Sequence, residues 1–127
     1  MGEAGTAPHL PYPAVIDAYG AGGFRFAGMS HRGSLLCLPA GIWAWPVAGP
    51  HDIDAAALAP VFAAAPDIGL FLLGTGRDPW VMPPELRRRF HEAGLSVDVM
   101  TTAPAVRTYN ILLGERRRVA AGLIAVD

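Results

Sequence analysis

Lysine is absent from this 127-residue chain, and all ten of its basic residues are arginine. A P-loop needs a lysine to reach the nucleotide phosphates, so nucleotide hydrolysis of that type is excluded. Charge of either sign is sparse, at 17% of residues with a net charge of −1, and no global field draws the protein to nucleic acid or to an anionic membrane. One cysteine, Cys37, permits no internal disulfide and is compatible with a reducing compartment. The longest uncharged apolar run, 119–126, is far short of the ~20 residues of a membrane-spanning helix. The four histidines, at 9, 31, 51 and 91, fall in separate segments without a helical pair or a cysteine companion, so no metal or other cofactor is indicated. The first fourteen residues contain no Arg or Lys and no apolar run, so neither a secretory signal nor an organelle presequence is expected there.

What is abundant is apolar surface: 52% of residues are hydrophobic. A chain of this length fits one domain, expected over 15–127 behind an extended or disordered lead-in, 1–14, that carries Pro8, Pro11 and Pro13. The stretch DIGLFLLGTG, 67–76, is its centre. Residues 68–73 are apolar or glycine without alternation, as in a strand covered on both faces, and the run ends in a glycine turn.

Before that strand the pattern is β. Short strands are expected over 15–19 and 24–26, then a polar turn over MSHRG, 29–33, a hairpin partner over 34–38, and a fourth strand over 42–47 with Trp43 and Trp45 on one face. Asp52 or Asp54 can cap a short helix over 55–59, and Pro60 forbids a clean continuation, so a kink or a second single turn is expected through Ala65. After the central strand, Pro83 and Pro84 open a helix that Gly94 closes, with Leu86 and Phe90 facing the sheet. Leu95, Val97 and Val99 alternate in the next strand. Thr101 or Thr102 caps a helix whose inward face carries Ala105, Tyr109 and Leu112, and a last strand covers 119–126. This βαβαβ order makes an α/β protein with parallel pairing in its second half and antiparallel β in its first.

If strands 68–73 and 95–100 are parallel, Gly74, Thr75, Gly76 and Arg77 share a sheet edge with Thr101 and Thr102. Free N–H groups and two positive helix-dipole ends would then meet in one crevice. Arg107 and Asn110, three apart on the following helix, share a face, and Arg107 opposes the dipole so near the N-terminus. An anion held between Arg77, Arg107 and the threonines is the functional reading; a strand-to-helix turn and a salt bridge from Arg107 to Asp98 or Glu115 are the bland one. Two other fragments fail as motifs. GAGGFR, 20–25, lacks the third glycine and the following helix of a dinucleotide fingerprint, and GMSHR, 28–32, has Arg32 where a nucleophile elbow has its second glycine and again no following helix. Cys37 reads as a small core hydrophobe. Arg87, Arg88 and Arg89 spread around one helical turn and form no single patch.

Taken in order, YGAGGFRFAG, HRGSLLCLP, LLGTG, RTYNILL and RRVAAGLIAV resemble the single-domain family that includes the mitochondrial complex I assembly factor 3 and the adipogenesis-associated domain protein. The resemblance spans 15–126. It implies a three-layer fold with a central mixed sheet and an added β element, and it carries over no catalytic residues. The function it implies is binding of a protein partner, a complex I subunit or another assembly factor, in a bacterial cytoplasmic relative that reaches the inner membrane through its partners. Trp43, Trp45 and Trp80 are the aromatic anchors available for such a partner. The alternative is a binder of, or enzyme acting on, a small anionic molecule in the crevice at 74–77 and 101–107.

Overall fold

The computed structural model describes residues 7–127, so part of the expected lead-in, residues 1–6, lies outside the described residues. Two sheets are present. β1 (Ala18–Gly20), β2 (Gly23–Phe26) and β3 (Met29–Arg32) form an antiparallel meander; β4 (Ser34–Leu38), β5 (Gly41–Trp45), β6 (Leu70–Gly74), β7 (Val97–Met100) and β8 (Val119–Leu123) form a mixed sheet in the order β5-β4-β8-β6-β7. β6 runs parallel to both β7 and β8, and β4 runs antiparallel to β5 and β8. The helices are α1 (Ala55–Ala63), α2 (Pro84–Glu92) and α3 (Thr102–Gly114).

The unbroken apolar runs follow from this layering, because the five-stranded sheet is covered on both faces. Leu36, Leu38, Phe71, Leu73 and Ala120 face Leu58 and Val61 of α1 and Leu86 and Phe90 of α2. Leu35, Cys37, Leu72, Ala121 and Leu123 face Ala105, Val106 and Tyr109 of α3 together with Phe24 and Phe26 of the meander. The fold is therefore α/β in three layers, helices on one side and α3 with the small sheet on the other.

Four local expectations are corrected. Residues 29–32 form a strand instead of a turn, and the hairpin partner of β2 is β3, not β4. The chain reverses at Ala27–Gly28, both with positive φ (50° and 76°), as the tight two-residue hairpin turn requires. The first strand begins at Ala18, because Ile16 is bonded to a side chain on α3, described below. The last ends at Leu123, after which Ile124 turns its N–H to the Gly74 carbonyl. Finally, α1 continues through Pro60 to Ala63. A proline inside a helix costs about 3 kcal/mol, whereas full burial of a Leu or Val side chain contributes about 1.5–3 kcal/mol. Leu58 and Val61, both fully buried, together offset the defect.

Alanine at φ 50° is a poor choice for a left-handed position, where asparagine is tolerated. Ala27, exposed at the hairpin tip, is therefore a site for improvement. Ala27→Asn is expected to stabilise the fold by about 1 kcal/mol and raise the thermal midpoint by roughly 4 °C. Calorimetry reads it, and a midpoint at or below that of the parent chain overturns the assignment.

Candidate functional site

Parallel pairing of β6 with β7 brings the turn after Gly74 and the start of α3 to one sheet edge. There they bond to each other. Thr75 donates its N–H to the Met100 carbonyl (2.8 Å) and Thr102 its N–H to the Gly76 carbonyl (2.9 Å). The Gly76 N–H donates to the Thr102 hydroxyl (2.9 Å), which in turn donates to the Ile124 carbonyl (2.7 Å). The Thr75 hydroxyl donates to the Asp78 carbonyl (2.8 Å). A Cβ on Gly74 would lie 3.1 Å from both the Thr102 Cα and the Ala105 Cβ, so the absence of a side chain there admits α3 itself.

The edge thus works as a latch between β6, β8 and α3. Thr75 and Thr102 are buried, and the donors expected to face a crevice are engaged within the fold. Thr101 occupies the cap position, half-buried, with no side-chain cap bond. Arg77 is exposed and donates through Nη2 to the Asp127 carbonyl (3.0 Å).

Arg107 and Asn110 line a separate depression of ≈ 390 Å³ between α3 and residues Ile16, Asp17 and Tyr19. Asn110 holds the chain that enters the meander: its Oδ1 accepts from the Ile16 N–H and its Nδ2 donates to the Ile16 carbonyl, both at 2.8 Å. From the adjacent position, the Tyr109 hydroxyl donates to the Ala14 carbonyl at 3.3 Å. The RTYN segment therefore straps residues 14–16 onto α3. Among the described residues Arg107 makes no ion pair, to Asp98 and Glu115 included.

Trp45 is 4% exposed, packs in the core and donates from Nε1 to the Ala57 carbonyl (3.0 Å), so it is not a surface anchor. Trp43 and Trp80 are half-buried at the margin of the same core, and Val81 beside Trp80 is 86% exposed. Cys37 sits fully buried, and burial pushes its thiol up to about 12, against a smaller opposing effect of a hydrogen bond with Tyr109. Such a thiol stays protonated and unreactive at neutral pH. His31 is shifted below the ordinary histidine range, first by burial and then by His9, whose ring centroid is 4.8 Å away; a contact with the Ser34 carbonyl opposes this. No cluster of metal-ligating side chains occurs among the described residues.

Residues 16–124 match the family described as a protein of unknown function, DUF498/DUF598. The chain belongs to this family. Among its relatives, an uncharacterized protein of Rhodobacter capsulatus is 40% identical over 122 residues, covering 96% of this chain and 90% of that one. The NADH dehydrogenase [ubiquinone] 1 alpha subcomplex assembly factor 3 of Danio rerio is 33% identical over 110 residues, 87% of this chain. The chain spans 63% of that protein's length. The crystal structure of an outer membrane protein from Bartonella henselae superimposes with a TM-score of 0.90 at 47% identity, covering 94% of this chain and all of that one. No helix among the described residues of this DUF498/DUF598 chain is long and apolar enough to cross a membrane.

Pairing of β2 with β3 brings Arg25 and Arg32 to one face of the meander, which a turn over 29–33 does not predict. The signal was present in two Ala-Gly dipeptides, 21–22 and 27–28, spaced to bracket a four-residue strand.

Proposed function

We propose that this chain is a non-catalytic protein-binding factor that assists assembly of respiratory complex I, its partner a complex I subunit or another assembly factor. The observation that carries the reading is the 33% identity with assembly factor 3 across 110 residues. The geometry supports it from the other side. The Gly76 and Thr102 donors, which a small anion would need, are bonded internally, and the only cysteine is held as a protonated thiol. Trp43, Trp80 and Val81 offer aromatic and apolar surface of the kind that anchors protein partners.

Deletion of the gene in the native organism is expected to lower the amount of assembled complex I and its NADH:ubiquinone oxidoreductase activity in isolated membranes. Affinity-tagged protein should recover complex I subunits or partial assemblies from the same membranes. Unchanged complex I content and activity after deletion overturns the reading.

A further inference from the structure

The meander has two unlike faces. Directly opposed residues of an antiparallel sheet point to the same side, so Phe24 and Phe26 turn inward to the core while Ala18, Gly23, Arg25, Ser30 and Arg32 share the outward face. Arg25 opposes Ser30, and Arg32 is the next residue on that face of β3, a diagonal neighbour at about 7–8 Å between backbones. Both arginines are exposed, and among the described residues neither guanidinium has a hydrogen bond or ion pair. Two cations this close on one sheet face repel unless an anion lies between them.

The surface between them is an open depression of ≈ 650 Å³ that also includes the bare backbone of Gly20 and Gly23. None of its lining residues is acidic. Around Gly20 a Cβ would meet nothing within 4 Å, and the Arg32 Nη1 lies 3.7 Å from where a Cβ on Gly22 would sit, so the guanidinium lies beside the turn between β1 and β2.

We infer that this face of the meander is a docking surface for an acidic, extended segment of a protein partner. Charge complementarity selects the occupant: planar guanidinium forks pair with carboxylates bidentately, and clustered arginines are a recurrent means of reading acidic peptide motifs. The depression has more room than a single small anion fills. The inference rests on the protein-binding function proposed above and names the surface that carries it.

The test measures fluorescence anisotropy of labelled octaglutamate and octaserine peptides against the full chain, with inorganic phosphate and phosphatidylglycerol vesicles as competitors. Octaglutamate is expected to bind, octaserine not, and added salt to weaken the complex. Arg25→Glu/Arg32→Glu should reduce affinity at least tenfold, while Arg87→Glu/Arg88→Glu on α2, with the same change of charge, should leave it within about twofold of the parent, a limit on the order of a few tenths of a kcal/mol. Circular dichroism checks folding, and Arg25→Ser/Arg32→Ser serves if the charge reversal unfolds the meander. Equal loss in both double variants, no octaglutamate binding, or binding of vesicles through Arg25 and Arg32 without peptide binding overturns the inference. Complementation separates it from the assembly role: a deletion strain restored fully by Arg25→Glu/Arg32→Glu refutes the surface and leaves the assembly role standing. A deletion without a complex I phenotype removes the assembly role, and the peptide measurement then decides the surface alone.

Discussion

Thr102→Val is expected to lower the thermal midpoint by roughly 10 °C, from a loss of about 3 kcal/mol. Valine matches threonine in shape but has no hydroxyl, and that hydroxyl both accepts from the Gly76 N–H and donates to the Ile124 carbonyl in a fully buried setting. Its removal leaves two buried backbone groups unpaired, each costing about 1–3 kcal/mol. Thr102→Ser keeps both bonds and should lose about 1 kcal/mol for the missing methyl. Thr101→Val is the neighbouring control, since the Thr101 side chain makes no cap bond; its effect should stay within about 0.5 kcal/mol. Denaturant titration of the three variants settles the matter, and a Thr102→Val midpoint equal to that of Thr101→Val would refute the latch.

Gly122→Ala should be similarly harmful for a different reason. A Cβ at this position of β8 would lie 2.8 Å from Cη2 and Cζ3 of Trp45 and 3.0 Å from Cζ of Phe71. Neither ring can yield easily, because Trp45 is tied by its Nε1 to Ala57 and Phe71 stacks on Phe90 at 5.8 Å. Overpacking of this kind costs about 1–3 kcal/mol. Trp45→Phe alone loses ring burial and a hydrogen bond, yet it vacates the space the new methyl needs. The double variant should therefore be more stable than the sum of the singles by about 1 kcal/mol or more. Strict additivity in a double-mutant cycle would show that the tryptophan does not impose glycine at 122.

The second half of the fold was readable because its signals are local and agree with one another. Pro84 and Gly94 bound α2, Leu86 and Phe90 mark its buried face, and the unbroken run into Gly74 marks a covered strand. The meander was harder to see. Met29 to Arg32 carries polar residues on its outward face, and its turns use alanine where asparagine would have advertised the left-handed backbone. The sheet edge shows a different limit. Strand order places the Gly76 and Thr102 donors together, but whether they face outward or bond to each other depends on how closely α3 approaches Gly74. The tryptophans divide in the same way: spacing puts Trp43 and Trp45 on one face, and only the packing of α1 over that face buries Trp45.

The position of β8, between β4 and β6, has a consequence for biosynthesis. This last strand of the sheet is also its middle one, and it supplies the partners of Leu35 to Cys37 on one side and Leu70 to Gly74 on the other. Until residues 119–123 are available, β4 with β5 and β6 with β7 have no strand to join them. Unpaired strand edges are templates for wrong pairing, and contacts that await distant residues form slowly. The joining strand is made mostly of alanine and glycine, small residues that fit between two neighbouring strands covered on both faces.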